Sequence, residues 1–229
     1  MKWLLWREKK LNRLILMTGI VLLVFPYASA ILIILIEIVK NNTFRFWESM
    51  VDCSTFSLVL SLLTMALLGG NAFAGERTDR SAEFIAYLPL KRTQLFASKL
   101  YLILITLTVI WSSNLLVLFC GKLSGIVLEK NLPTLLLFIA VTGLVIYGVS
   151  WLISSIQSSP TLAIGGGLVV PFIIGGTLTL IVQNMQNVEW FRTEEMRMFI
   201  GACYVCICAV LGTVGFGLGT AYYLQRKEP

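Results

Sequence analysis

Six long apolar stretches constrain the fold of this chain more than any other feature of its 229 residues. A helix needs about 20 apolar residues to cross the hydrocarbon core of a bilayer, and none of the six has a charged residue near its middle. We therefore expect an all-α, polytopic integral membrane protein with six transmembrane helices, forming a single domain over residues 1–229. The expected spans are residues 14–39, 53–74, 100–120, 132–156, 161–182 and 199–224.

The composition excludes several classes of protein. Charged residues make up 13% of the chain, against roughly 25% in an average soluble domain, which argues against a cytosolic domain or a disordered chain. Histidine, the commonest general base and metal ligand, is absent. So is the G-x-x-x-x-G-K-[ST] motif of ATP hydrolysis. We therefore expect no enzymatic activity, catalytic residue, metal site or cofactor in this chain.

The spans also lack the charged residues that ion-coupled carriers place inside the bilayer. The chain therefore offers a membrane pathway without an energy source of its own. Either it moves something passively or a partner supplies the energy.

The basic residues predict the orientation. Twelve of the 18 lysines and arginines lie in the N-terminal segment, the loop after the second span and the C-terminal tail, and six lie on the other side. The positive-inside rule then places both termini in the cytoplasm of a multi-pass plasma (inner) membrane protein. The net charge of +6 reflects this topology, and we expect no nucleic-acid partner.

Turn-forming and small residues predict where the spans end and pack. The run Gln157-Ser158-Ser159-Pro160 should separate the fourth span from the fifth. Gly75 should end the second span, and Thr93 should cap the helix that becomes the third. In the sixth span, the spacing of Gly215 and Gly219 predicts close helix packing.

One loop, residues 75–99, is long and rich in chemical signals. Its charged cluster is followed by Ser81, which can cap a short helix that Pro89 would end. Two interpretations remain open at this point. The segment is either an interfacial hairpin resting in the lipid headgroups, or a docking element for a cytosolic partner.

The 75–99 segment resembles the corresponding loop of ABC-2 type permeases, the membrane subunits of type-2 ABC exporters. That family often shows a leading acid, Gly-Thr-x-Glu-Leu, an apolar stretch ending in Leu-Pro, a basic residue, and a Gly-Lys pair opening the third span. The matching residues are Glu76, Glu83-Phe84, Leu88-Pro89-Leu90, Arg92 and Lys99. The departures are Arg80, Ser81 and Ser98, where the family often has glycine, threonine and glycine.

The resemblance covers the whole chain in layout and implies an ABC-2 exporter-like fold. It implies that the 75–99 segment is a cytoplasmic coupling helix docked on cytosolic ABC ATPase subunits, which would carry ATP and Mg²⁺. A second permease copy or a paralogue would complete the pathway. The residues implied in ATPase coupling are Glu76, Arg77, Asp79, Arg80, Glu83, Phe84, Tyr87, Leu88, Pro89 and Arg92.

The N-terminal segment, residues 1–13, resembles the interfacial helix of the same family. Trp3, Leu4, Leu11 and Leu14 should lie near one face of this helix. A plain positively charged membrane anchor is the alternative. The predicted interfacial anchors, which would contact membrane lipids, are Trp3, Trp6, Arg7 and Lys10.

Two further segments carry expectations. Residues 183–198 should form an external segment, which in the family often contains short helices; an ordinary solvated loop is the alternative. The fifth span contains residues that weaken a helix, which is typical of a flexible, pathway-lining helix or of tight packing at a dimer seam, and the two are compatible. The pathway or hinge residues are Gly165, Gly166, Pro171 and Gly175.

These observations together predict the membrane permease subunit of an ATP-driven exporter. The uncharged spans suggest an apolar or amphiphilic cargo. Two alternatives remain: a non-transporting membrane anchor or assembly module that recruits a cytosolic partner, and a passive channel or scramblase.

Overall fold

The computed structural model describes residues 2–39, 46–79, 91–128, 130–184 and 194–225. This part of the chain is all-helical, and six of its helices are long and apolar enough to cross a membrane. Large apolar side chains are exposed along these helices, as expected for lipid-facing surfaces. The helices are α1 (Lys2–Leu11), α2 (Arg13–Val39), α3 (Phe46–Thr78), α4 (Arg92–Leu123), α5 (Leu132–Ile156), α6 (Pro160–Asn184) and α7 (Glu194–Gln225).

The predicted spans correspond to α2 through α7, and the bounds of α5 agree with the prediction. The turn before Pro160 is confirmed, because α5 ends at Ile156 and α6 begins at Pro160. Proline suits the first turn of a helix, where its missing N–H has no intrahelical acceptor. The Ser159 hydroxyl lies 3.5 Å from the amide of Leu162 and completes the helix start.

Two predicted helix ends are wrong. Gly75 does not end the second span, because α3 continues to Thr78 and the amide of Asp79 still donates to the Gly75 carbonyl at 3.0 Å. Thr93 does not cap the third span, because α4 begins at Arg92 and its N-cap is Lys91, whose side chain makes no capping hydrogen bond. In both cases the helix extends beyond the residue that was predicted at its end, and its last residues lie in polar sequence.

The external segment is described only at its ends. Residues 183 and 184 complete α6, and residues 194–198 form the start of α7. Residues 185–193 lie outside the described part of the chain.

The chain divides into two compact units. The first comprises residues 1–64 and 91–135, and the second comprises residues 65–90 and 136–229, so α3 contributes its first part to one and its last part to the other.

The first unit is held by polar contacts in addition to apolar packing. The Tyr27 hydroxyl donates to the side-chain carbonyl of Asn114 at 2.7 Å, and the Ser57 hydroxyl donates to the Leu23 carbonyl at 3.2 Å. Both bonds join different helices. The apolar cluster beside them contains Ala30, Ile34 and Met50, with Tyr27, Trp47, Cys53 and Val117 packed against it.

The second unit is held by close backbone approach and aromatic packing. A Cβ at Gly215 would lie 2.9 Å from the Gly148 carbonyl oxygen, and one at Gly219 would lie 2.7 Å from the Trp151 ring. These contacts confirm close packing of α7 through Gly215 and Gly219, against α5. Trp151 is fully buried and meets Phe73 edge-on, with ring centroids 4.5 Å apart.

Candidate functional site

The predicted coupling residues are described only at the two ends of the 75–99 segment. Glu76 and Arg77 lie in the last turn of α3, Asp79 directly follows it, and Arg92 is the first residue of α4. The first of these ends belongs to the second unit, and residues 91–99 belong to the first. The predicted residues outside the described part of the chain are Arg80, Glu83, Phe84, Tyr87, Leu88 and Pro89.

Arg77 ties the end of α3 to the end of α5. Its guanidinium donates to the carbonyls of Ser154, Ser155 and Gln157 at 3.3, 2.7 and 3.0 Å. The last carbonyls of a helix have no partner within that helix, and the helix dipole favours a cation beside them. Arg77 therefore serves as a C-terminal cap for α5, supplied by a different helix.

Neighbouring hydroxyl groups reinforce the same junction. The Thr78 hydroxyl donates to the Ser158 carbonyl at 2.8 Å, in the turn between α5 and α6. The hydroxyl of Ser154, which is fully buried, accepts from the amides of Phe73 and Ala74 at 3.0 and 2.9 Å. The final turns of α3 are thus bonded to the α5–α6 turn through both side chains and backbone.

A buried ion pair fixes the other end of the segment. Lys99, on α4, places its Nζ 3.4 Å from Oε2 of Glu8, on α1. The Lys99 and Glu8 side chains are only 4% and 1% exposed. Arg7 contacts the second carboxylate oxygen of Glu8 at 2.6 Å. Because Glu8 lies between two cations, its buried charge is compensated.

Glu8 is a residue that the sequence analysis missed. It is the only acid among the first 36 residues and is surrounded by cations. A single carboxylate on an otherwise basic helix is the signal that could have identified it. Its partner Lys99 entered the prediction only through the family pattern, with no contact assigned to it.

One side of α1 packs inside the first unit. Leu4, Glu8 and Asn12 are buried, whereas Leu11 and Leu14 are exposed. The Glu8–Lys99 ion pair lies in the contact of α1 with α4. The Asn12 amide group also donates to the Glu8 carbonyl at 3.1 Å, across the junction with α2.

Of the predicted interfacial anchors, Trp3, Trp6 and Lys10 are exposed. The Lys10 ammonium group lies 5.0 Å from the centre of the Trp6 ring, a cation–π contact. Arg7 instead points toward Glu8 and is largely buried, with a side chain 14% exposed.

The predicted pathway or hinge residues on α6 have different surroundings. A Cβ at Gly165 would meet no atom within 4 Å, one at Gly175 would lie 3.9 Å from the Tyr204 ring, and one at Gly166 would collide with Ile153. Pro171 lies inside α6 and is buried. The closest approach is at neighbouring Gly167, where a Cβ would collide with the Ser150 hydroxyl on α5.

No group of three or more potential metal ligands occurs within the described residues. Comparison with family models, with curated proteins and with solved structures gave no match for this chain.

Proposed function

We propose that this protein is the membrane subunit of an ATP-driven exporter of the ABC-2 permease type. Two copies, or one copy and a paralogue, form the pathway in the plasma (inner) membrane, with both termini in the cytoplasm. Two cytosolic ATPase subunits bind ATP and Mg²⁺ and dock on the 75–99 segment.

The observation that carries this proposal is that both ends of the 75–99 segment are bonded to neighbouring helices. At one end Arg77 and Thr78 bind the carbonyls that terminate α5 and begin the turn to α6. At the other end Lys99 pairs with Glu8 of α1. Helix ends bonded in this way would pass a displacement of the segment on to their neighbouring helices.

This arrangement supports a rigid-body mechanism. Closure of the ATPase subunits would move the 75–99 segment, and the two bonded ends would shift α3 with the α5–α6 turn, and α4 with α1. Alternation of the helices between two positions would open the pathway first to one side of the membrane and then to the other. The coupling residues would have two roles. Arg77 would hold the segment to its own chain, while Glu83, Phe84 and Arg92 would contact the ATPase.

The uncharged spans favour an apolar or amphiphilic cargo. The only charged residue of the six predicted spans is Glu37, near the end of the first, and a hydrophilic ion would meet no compensating charge at the centre of the bilayer. Lipids, peptides and hydrophobic small molecules are the cargo classes consistent with this.

The proposal is tested by purifying the full-length tagged protein from its native membranes and measuring Mg²⁺-dependent ATPase activity. We expect a bound subunit with a nucleotide-binding motif. Reversing the charges of the segment, Glu83→Lys with Arg92→Glu, should lower the co-purified activity at least about tenfold, because like charges across an interface cost several kcal/mol.

The matched control reverses one acid and one base at the opposite helix ends, Asp52→Lys with Lys122→Glu, and should leave the activity unchanged. Retention of the ATPase by the Glu83/Arg92 variant would contradict the docking site. A wild-type preparation with a partner that lacks ATPase activity would favour the anchor or assembly module.

A further inference from the structure

A groove with a basic end and an apolar end runs along α1 and the start of α2, and its volume is about 360 Å³. Trp6, Lys9, Lys10 and Arg13 line one part of it, and Leu16, Met17 and Ile20 line the rest. The spacing of these residues places them on one helical face that continues through the α1–α2 junction. We call this feature the basic groove.

The charge of the basic groove is not balanced by its own lining. Three of the residues that line it are cations and none is an acid. The nearest carboxylate in sequence, that of Glu8, is buried and bonded to Arg7 and Lys99. Lys9, Lys10 and Arg13 are all exposed, so an anion can reach them from outside the protein.

The chemistry of the groove changes along its length. Lys9, Lys10 and Arg13 lie within about 6 Å of helix rise, which is the scale of one or two phosphate groups. The apolar residues follow immediately on α2, a helix long and apolar enough to span a membrane. An anionic phospholipid has the same arrangement as the groove, with a charged headgroup at one end followed by an apolar acyl chain.

We propose that the basic groove is a binding site for an anionic phospholipid. The lipid phosphate contacts Lys9, Lys10 and Arg13, Trp6 covers the headgroup region, and an acyl chain packs on Leu16, Met17 and Ile20. A soluble anion would leave the apolar part of the groove empty, and a zwitterionic lipid would leave the three cations without a net counter-charge. The site is independent of whether the protein is an exporter.

This site has a structural consequence for α1. One face of α1 carries Lys9 and Lys10 of the basic groove, and another carries Glu8, which pairs with Lys99 of α4. A lipid that holds α1 against the membrane therefore also steadies the α1–α4 contact. Binding of the lipid should raise the thermal stability of the folded protein.

The test uses delipidated full-length protein in detergent and two probes, phosphatidylglycerol and phosphatidylcholine with identical acyl chains. Binding is measured by native mass spectrometry and by the shift in unfolding temperature. We expect phosphatidylglycerol to bind more tightly and to raise the unfolding temperature. Neutralising the groove, Lys9→Gln with Lys10→Gln and Arg13→Gln, should weaken its binding about tenfold or more.

Two control variants make the result specific. Lys91→Gln with Lys122→Gln and Lys130→Gln removes the same charge elsewhere and should keep the preference for phosphatidylglycerol. Lys9→Arg with Lys10→Arg conserves the charge of the groove and should also keep the preference, and the unfolding temperature of the neutral variant without lipid shows whether that variant is folded.

Three outcomes would overturn the proposal. Equal affinity for the two lipids in the wild type would show that the groove does not recognise the anion. Equal loss of phosphatidylglycerol binding in both triple variants would show that binding depends on the overall charge of the protein and not on the groove. Displacement of phosphatidylglycerol by millimolar inorganic phosphate would show that the groove takes a free anion and that the apolar part contributes nothing.

Discussion

The two compact units of this protein differ in how closely their helix backbones approach one another. In the first unit, named side chains bond across helices, as in Glu8 with Lys99 and Tyr27 with Asn114. In the second, glycines let backbones approach, and a Cβ at Gly215 would press on the Gly148 carbonyl. Both units contain polar bonds between helices, including those of Arg77 and Ser154 in the second, so the difference lies in the backbone contacts that glycines allow in the second unit.

This difference follows from the solvent of a membrane protein. Lipid is as apolar as leucine, so burying an apolar side chain between two helices gives little net driving force. Helices in lipid therefore associate through close van der Waals contact or through directional polar bonds. The first unit shows polar bonds between helices, and the second combines such bonds with close backbone contact. Substitutions that remove only a polar bond, or that block only a close backbone contact, measure the two kinds of contact separately.

The largest effect is expected at the buried ion pair. Glu8→Gln removes the carboxylate charge that Lys99 and Arg7 share and leaves buried cations uncompensated. We expect the free energy of unfolding to fall by about 3 kcal/mol, as for other broken buried pairs. Unfolding of the purified protein in mixed micelles measures this loss.

The double variant Glu8→Gln with Lys99→Met provides the control. Removing both charges should cost less than the sum of the two single variants, because Lys99 is then no longer left as a buried charge without its partner. Strictly additive losses would show that Glu8 and Lys99 do not interact.

A smaller effect is expected at the glycine contact of the second unit. Gly215→Ala forces α7 away from α5 and should lower stability by about 2 kcal/mol, the usual cost of overpacking. The same unfolding measurement applies.

Gly217→Ala is the matched control on the same helix, because a Cβ there would meet no atom within 4 Å. It should be neutral or slightly stabilising, since alanine favours a helix over glycine. Equal losses at residues 215 and 217 would mean that the close approach does not stabilise the second unit.

The smallest effect is expected at the interhelical hydrogen bond of the first unit. Tyr27→Phe removes the hydroxyl that donates to Asn114 and should cost about 0.6 kcal/mol, the average for such bonds in lipid. Tyr101→Phe, at an exposed position on α4, should change nothing. A loss at Tyr27 as large as that of Glu8→Gln would contradict the ranking of the two contacts.

The sequence predicted the six long helices because a bilayer imposes a length and an apolar composition that each stretch must satisfy. It predicted the ends less well. The second stretch, residues 53–74, is the middle of α3, which runs over Phe46–Thr78. Helices extend beyond the hydrocarbon core into polar sequence, where apolarity no longer marks them.

The contacts of the candidate site were harder to predict. Lys99 and Glu8 are 91 residues apart, and no local pattern connects them. Arg77 was predicted as part of a charged cluster, but its partners are backbone carbonyls, which any sequence provides. Close helix packing through Gly215 and Gly219 was predictable because small residues four apart share one helix face, but the sequence did not identify α5 as the partner.

The central claim, that the 75–99 segment docks on a cytosolic ATPase, is tested most directly by photo-crosslinking in intact membranes. A photoreactive amino acid replaces Phe84, within the segment, or Leu128, in the loop between α4 and α5. We expect position 84 to crosslink to a protein with a nucleotide-binding motif and position 128 not to do so. Crosslinks from position 84 to lipid alone would contradict it and would favour an interfacial hairpin.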